Sequence, residues 1–267
     1  MSRSPGRSKI PSCAAGDRIY AIGDIHGRYD LLRDLLRRIE SHSKGLPAPA
    51  GLHVLLLGDV VDRGPDSAKV LRFLHDWSRN TEGQLMLLGN HEEVMLRVYA
   101  GEARLLTPWL RIGGRETLES FGLKIPRREE REDGSFTKLV GEVLPRELMD
   151  FVAGWPLTAQ SGDYYFCHAG VKPGVALNRQ DRKDLIWIRD EFLQSARDHG
   201  ATVVHGHSIS PEVDFQSNRI GLDTGAYKSG VLSALYLEGM EREVIATAGE
   251  ARPEPRRSSS QSPSSSR

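Results

Sequence analysis

Cysteine is nearly absent from this chain of 267 residues, which holds only Cys13 and Cys167. Two thiols give no disulfide framework of the kind that staples small secreted domains. Long hydrophobic runs are missing too: no stretch approaches 18 apolar residues, so no transmembrane helix is expected. The N-terminal segment carries Arg3, Arg7 and Lys9 but lacks the apolar centre of a secretory signal. Charge of one sign is not in excess either. With 36 basic and 36 acidic side chains the formal net charge is zero, so no global field calls for nucleic acid or a membrane surface. A local basic pocket is compatible with that balance. The expected setting is reducing and cytoplasmic, with neither nucleic acid nor membrane as partner.

What is present is ordinary for a globular protein, with 39% hydrophobic and 27% charged residues. A chain of this length buries a sufficient core without disulfides. Residues 1–15 are polar and rich in Ser, Pro and Gly, and residues 250–267 are dominated by Ser, Pro and Arg, so both ends are expected to be disordered. One domain over residues 16–249 lies between them.

Its organising stretch is Val54-Leu55-Leu56-Leu57 followed by Gly58-Asp59-Val60-Val61-Asp62-Arg63-Gly64. A short apolar run bounded by a turn residue predicts a buried strand, and polar residues past its carboxyl end stand where open α/β sheets collect ligands. The same pattern precedes and follows it. Arg18 to Ile22 ends in Gly23-Asp24-Ile25-His26-Gly27, with a helix after it whose apolar face is Leu31, Leu32, Leu35, Leu36 and Ile39. Gln84 to Leu88 ends in Gly89-Asn90-His91-Glu92 and passes into a helix through Val94, Met95 and Val98. Asp66 is placed to cap the intervening helix, with Val70, Phe73, Leu74 and Trp77 on its face. Strand, glycine, ligand-type residue and helix recur three times, the signature of βαβ units in an α/β (α+β) fold.

Residues 101–150 interrupt the repeat with Trp109, Gly113-Gly114 and a mixed charge run from 127 to 134 that predicts a solvated loop or hairpin. Beyond them, Tyr164 to Cys167 predicts a strand ending in His168-Ala169-Gly170, and a charged helical segment follows Arg189 to about His199. Thr202 to Val204 is a strand ending in His205-Gly206-His207-Ser208, on which alternation puts both imidazoles on one side. Arg219–Leu222 and Val231–Leu237 are expected to form a terminal antiparallel pair, joined by a loop carrying Asp223 and Tyr227.

Five strand ends thus present Asp24 and His26; Asp59, Asp62 and Arg63; Asn90 and His91; His168; and His205 and His207. Carboxylate, imidazole and carboxamide without thiolate suit Mn, Fe or Zn, in numbers sufficient for two ions. Two ions about 3.5–4 Å apart clamp the oxygens of an in-line phosphoryl displacement. An arginine beside them matches phosphate oxygens with its planar fork. The segment 101–150 is expected to cap such a site.

The three blocks Gly23–Gly27, Gly58–Gly64 and Gly89–Glu92, in order and each at a strand end, resemble the signature of the phosphoprotein phosphatase family of metallophosphoesterases, its bacterial and phage branch most of all. One block alone would be unspecific. The resemblance spans about Asp17 to Leu237. It implies a calcineurin-like fold, a central β-sandwich flanked by helices. It implies Asp24, His26 and Asp59 as ligands of one metal and Asp59, Asn90, His168 and His207 as ligands of the second. His91 is then the general acid, Asp62 the carboxylate that orients it, and Arg63 and Arg189 the phosphate-binding arginines. Two divalent ions, manganese in bacterial members, would present a bridging hydroxide that attacks phosphoserine or phosphothreonine, with phosphotyrosine a further substrate, and no covalent phosphoenzyme.

Family likeness favours His207 over His205 as the ligand. The nearest rival reading is hydrolysis of diadenosine polyphosphates, symmetrical diadenosine tetraphosphate foremost, or of another nucleotide on the same scaffold; in the symmetrical tetraphosphatases a smaller residue commonly replaces the acid before the arginine. A non-catalytic binding module is a third reading, and the intact ligand set speaks against it.

Overall fold

A computed structural model describes residues 10–125 and 135–248. The expectations for residues 1–9, for the charge run 127–134 and for the tail beyond 248 lie outside them. The first half of the chain alternates strand and helix: β1 (Asp17–Ile22), α1 (Tyr29–Lys44), β2 (Gly51–Leu56), α2 (Ser67–Asn80), β3 (Gln84–Met86) and α3 (Asn90–Tyr99). Helices follow, namely α4 (Ala103–Trp109), a π-turn over Leu110–Gly114, α5 (Arg115–Ser120), α6 (Ser135–Val143) and α7 (Arg146–Ala153). The second half runs β4 (Thr158–Ser161), β5 (Tyr164–Cys167), α8 (Arg182–Trp187), α9 (Asp190–Leu193), β6 (Thr202–His205), β7 (Asp214–Phe215), β8 (Arg219–Gly221), α10 (Ala226–Ser229), β9 (Ser233–Glu238) and β10 (Glu241–Ala246).

β1, β2 and β3 are parallel neighbours, and each parallel step needs a crossover, which α1 and α2 supply. The strands form two mixed sheets, β10-β9-β1-β2-β3 and β4-β5-β6-β8-β7. Side-chain alternation joins them. Ile19 and Ala21 of β1, with Leu55 and Leu235, meet Tyr164, Phe166, Val204 and Ile220 of the second sheet. Tyr20 and Ile22 point the other way, into the core with Leu32, Leu35, Val70 and Leu74 of α1 and α2. On the far face Tyr165, Cys167 and Val203 pack under Leu185, Ile186 and Phe192. The result is the calcineurin-like arrangement, two sheets face to face with helices outside.

The expected terminal pair does not form. β8 lies parallel to β6 in the second sheet, whereas β9 sits in the first between β1 and β10, antiparallel to both. Burial on both faces explains this: Leu235 and Leu237 enter the core between the sheets while Ala234 and Tyr236 face the helices. A strand covered on both sides belongs inside a sheet, and exposed β10 takes the edge.

Three smaller expectations are corrected as well. Residues just before β1 are held rather than loose: Cys13 is buried, its N–H donates to the Gly239 carbonyl (2.9 Å), and Ala14 N–H donates to Ser161 Oγ (3.0 Å). The helix after Arg189 stops at Leu193, and Asn218 Nδ2 donates to the carbonyls of Ser195 and Arg197 (both 2.8 Å), turning the chain away. Asp66 occupies the N-cap of α2 without capping it and pairs with Lys69 instead (2.7 Å).

The helices that interrupt the βα repeat are not an appendage, since Leu106, Trp109, Leu118, Phe136 and Val140 belong to the same core as α1 and α2. Among the described residues no helix is long and apolar enough to cross a membrane.

Candidate functional site

Among the described residues, five non-glycine residues have positive φ in the left-handed region: His26 (46°), Asp59 (51°), Asp62 (72°), Arg63 (68°) and His207 (63°). Each such backbone costs about 1–3 kcal/mol and persists only where its surroundings fix it. All five are residues singled out in the sequence, and they lie in turns that follow β1, β2 and β6. The fixing bonds are visible. The Asp59 carbonyl accepts from the N–H of both Ile25 (3.1 Å) and His26 (2.8 Å), and Gly64 N–H donates to the His26 carbonyl (3.0 Å). The fully buried Glu92 carboxylate accepts from the N–H groups of Asp59 (2.8 Å), Val60 (2.8 Å), Val61 (3.2 Å) and Gly89 (3.0 Å). Gly58, with φ 99°, lies so close to Gly89 that a Cβ would overlap its backbone.

These turns bring Asp24, His26, Asp59, Asn90, His91, His168 and His207 together, all buried. His26, Asp59 and His91 offer ligand atoms within 4.8 Å of one another, and so do Asp59, His168 and His207. Asp59 is common to both groups. One of its oxygens lies 3.3 Å from His168 Nε2 and the other 3.6 Å from His26 Nε2. Asp24 accepts from the His207 N–H with both oxygens (3.1 Å) and stands 4.0 Å from His26 Nε2. Asn90 Oδ1 is 2.9 Å from His168 Nε2.

Backbone carbonyls aim the imidazoles. His26 Nδ1 donates to the Val61 carbonyl and His168 Nδ1 to that of Leu57, each at 2.8 Å, which turns both Nε2 atoms inward. Burial pushes His26 down to about 3, and burial with the neighbouring His168 pushes His207 down to about 2. Both are neutral donors at ordinary pH. Burial, then Asp223, raises Asp24 well above the carboxylate range. Burial opposes ionisation of Asp59, yet His168 and His91 hold it well below that range. His168 is pushed up to about 10, because the Asp59 charge outweighs burial.

The cluster gathers buried carboxylates that favour positive charge beside them. A divalent cation fits there: the donors are oxygen and imidazole nitrogen, and two buried atoms, His207 Nε2 and Asp223 Oδ2, have no hydrogen-bond partner.

At the edge of this cluster stands a second set. His91 Nδ1 lies 2.6 Å from Asp62 Oδ2, and Asp62 also accepts from Trp109 Nε1 (2.9 Å) and Thr117 Oγ1 (2.6 Å). Asp59 and Asp62 raise the His91 pKa against burial. Arg63 reaches His26 Nε2 (2.9 Å) and His91 Nε2 (3.1 Å), with its guanidinium 4.7 Å over the Tyr227 ring. Arg189 stands apart. It is exposed, and no hydrogen bond or ion pair ties its side chain to another described residue, though its charge reaches His207.

His205 does not share a side with His207. β6 ends at His205, the left-handed turn at His207 breaks the alternation, and the His205 ring packs on Phe192 (5.1 Å).

Other participants were less legible. Glu92 ends the third block, Gly89–Glu92, and nothing in the local pattern marks it as a backbone clamp. Trp109 and Thr117 lie 47 and 55 positions from Asp62 and carry no local signal. The Asp223–Tyr227 loop does reach the site, with the Tyr227 ring edge-on to His26 at 5.4 Å.

Comparison with known proteins agrees with this geometry. Residues 17–230 match the calcineurin-like phosphoesterases. A symmetrical bis(5'-nucleosyl)-tetraphosphatase of Nitrosospira multiformis is 31% identical, over 86% of this chain and 95% of its own length. Serine/threonine-protein phosphatase 2 of Escherichia coli is 28% identical, over 80% of this chain and 90% of its own. Further relatives named as symmetrical tetraphosphatases are matched over less than half their length. The crystal structure of a cold-active protein-tyrosine phosphatase from a Shewanella species shares the fold, with TM-score 0.53 and 18% identity over 91% of this chain and 86% of that one. The chain belongs to the calcineurin-like phosphoesterases.

Proposed function

We propose that the chain hydrolyses phosphomonoesters of alcohols, phosphoserine and phosphothreonine first and phosphotyrosine as a further substrate, in a reducing cytoplasmic setting. The observation that carries this reading is the 2.6 Å contact between His91 and Asp62. An alkoxide is a poor leaving group and needs a proton as it departs; a histidine held by a carboxylate is suited to give it. Asp24, His26 and Asp59 would hold one divalent ion and Asp59, Asn90, His168 and His207 a second, manganese foremost, with Fe or Zn also suited to the donors. Such ions, when bound, polarise phosphoryl oxygens and lower the pKa of water.

The chain's own residues then divide the remaining work. Arg63 and Arg189 grip the phosphoryl oxygens, and Arg63 in doing so leaves His91, because a doubly charged oxyanion is the better partner for a guanidinium. His91 Nε2, once released, carries the proton to the leaving oxygen. Asp62 fixes the ring and favours its protonated form, while Trp109 and Thr117 fix Asp62.

A second reading is cleavage of symmetrical dinucleoside tetraphosphates, favoured by the Nitrosospira relative matched over nearly its whole length. The metal-loaded protein offered a phosphoserine peptide and diadenosine tetraphosphate side by side separates the two. Faster turnover of the peptide supports the first reading. Cleavage of the dinucleotide to two nucleoside diphosphates, with no phosphate released from any monoester, ends it.

A further inference from the structure

Beside Arg63, with no part of its wall from His91, a cleft of ≈ 420 Å³ opens between the π-turn, the start of α5 and Tyr227. Arg111, Arg115 and Arg63 line it together with the partly exposed Ile112, and Glu116 is the one acid on its wall among the described residues. We propose that this cleft is a second anion-binding subsite, which takes a further phosphate or carboxylate of the same substrate molecule while the reacting phosphoryl group lies on the other side of Arg63.

The placement is built into the backbone. Arg63 N–H donates to the Gly113 carbonyl (3.2 Å) and Arg63 Nε to that of Ile112 (3.4 Å), so the π-turn is seated directly on the phosphate clamp. Gly113 has φ 122°, and a Cβ there would overlap the Arg63 backbone nitrogen, so only glycine allows the approach. The flanks of the turn are anchored as well, since Trp109 before it and Thr117 after it both bind Asp62. Arg111 and Arg115 are thereby carried by a fixed segment rather than a free loop, the condition for a preorganised subsite.

These two arginines have little else to hold. The Arg111 side chain makes no hydrogen bond or ion pair with another described residue. Arg115 meets Glu119 at 3.6 Å, with side chains 42% and 50% exposed, and such surface pairs contribute little. Three guanidinium groups around one acid leave the cleft net positive, where planar forks match phosphate and carboxylate oxygens.

This subsite rests on the phosphomonoesterase reading for the identity of the first anion, and its test is arranged to fail separately. The Arg111→Ser/Arg115→Ser variant is compared with the wild type, both metal-loaded. The substrates are p-nitrophenyl phosphate, a phosphoserine peptide with neutral flanks, the same peptide with acidic flanks or a second phosphoserine, and diadenosine tetraphosphate. For the first two, kcat/KM stays within about twofold; for substrates with a second anion KM rises about tenfold or more with kcat unchanged. Which peptide shows the rise tells phosphate from carboxylate. Equal losses on all substrates, or none on any, overturn the subsite.

Calorimetry with nonhydrolysable phosphonate peptides, with and without the second anion, reads the same difference without turnover. Absence of any phosphate release would remove the functional reading, whereas equal affinity for the two peptides would remove the subsite.

Discussion

His91 and Asp62 share a 2.6 Å contact sealed from solvent, with the carboxylate fixed from its other sides by Trp109 and Thr117. In an Asp62→Asn protein the ring keeps an acceptor but loses the charge that favours its protonated form. Turnover of a phosphoserine peptide is expected to fall about 10²–10³-fold, within the range of general acid catalysis. Turnover of p-nitrophenyl phosphate, whose leaving group needs little protonation, falls far less. Because Asp62 raises the His91 pKa, its neutralisation lowers that pKa. The alkaline limb of the kcat/KM profile, where His91 loses its proton, therefore moves to lower pH. Equal losses on both substrates with an unmoved limb would contradict the assignment.

Thr117→Val tests the support beneath that pair. The hydroxyl donates to Asp62 Oδ1 and accepts from the Asp62 N–H (2.9 Å). Its loss leaves a buried N–H and a buried oxygen short of partners, at a cost of about 1–3 kcal/mol each where nothing else compensates. Ser67 Oγ, 3.0 Å from the same N–H, softens the first loss. Thermal unfolding should shift down, and phosphoserine turnover should drop more than aryl phosphate turnover. A change in stability alone would make Thr117 a core residue without a positioning role.

The divide between what the sequence disclosed and what it concealed follows from distance along the chain. Asp24 with His26, Asp59 with Arg63, and Asn90 with His91 are neighbours in sequence because each block is one turn at one strand end, so local pattern and turn geometry coincide there. Trp109 and Thr117 act on Asp62 from a helical segment whose periodicity speaks only of its own burial. The true partner of β9 was hidden for a related reason. Arg219–Leu222 precedes β9 across a short loop, yet pairing was decided by which core could take Leu235 and Leu237. His205 misled because alternation holds only while the chain stays extended, and it turns at His207.

Glu92 offers a prediction of another kind, since it touches no ligand-type atom and instead accepts from four backbone N–H groups beneath Asp59 and Gly89. Burial and the Asp59 charge push its pKa up to about 7, against which those amides act. In a Glu92→Gln protein one acceptor oxygen becomes an NH₂ facing backbone donors. Destabilisation of about 2–6 kcal/mol is expected, two of the four buried N–H groups losing their acceptor at about 1–3 kcal/mol each. The left-handed turn at Asp59 loses its clamp with it. Metal content per chain and the unfolding midpoint should fall together, and a normal metal content at a lowered midpoint would confine Glu92 to the fold.

Stripping the metals tests the charge balance of the centre itself. Asp24, Asp59 and Asp223 are buried within one cluster, and the Asp24 pKa is raised by burial and by Asp223. Chelation removes the cations that offset these carboxylates, so the apo protein should be less stable. At a free ion concentration of one hundred times Kd, the linkage amounts to about 2.7 kcal/mol for one site, or roughly 5–10 °C in Tm for a domain of this size. Manganese, zinc and iron returned one at a time should each restore part of the shift. His26 and His207, held down to about 3 and about 2, do not gain protons between pH 8 and pH 5. Of the proposed ligands, His168, pushed up to about 10, and then Asp24, whose pKa is raised, are where protons compete, so the metal-dependent gain in Tm should shrink as pH falls. An unfolding midpoint indifferent to chelator at every pH would mean that this cluster holds no ion.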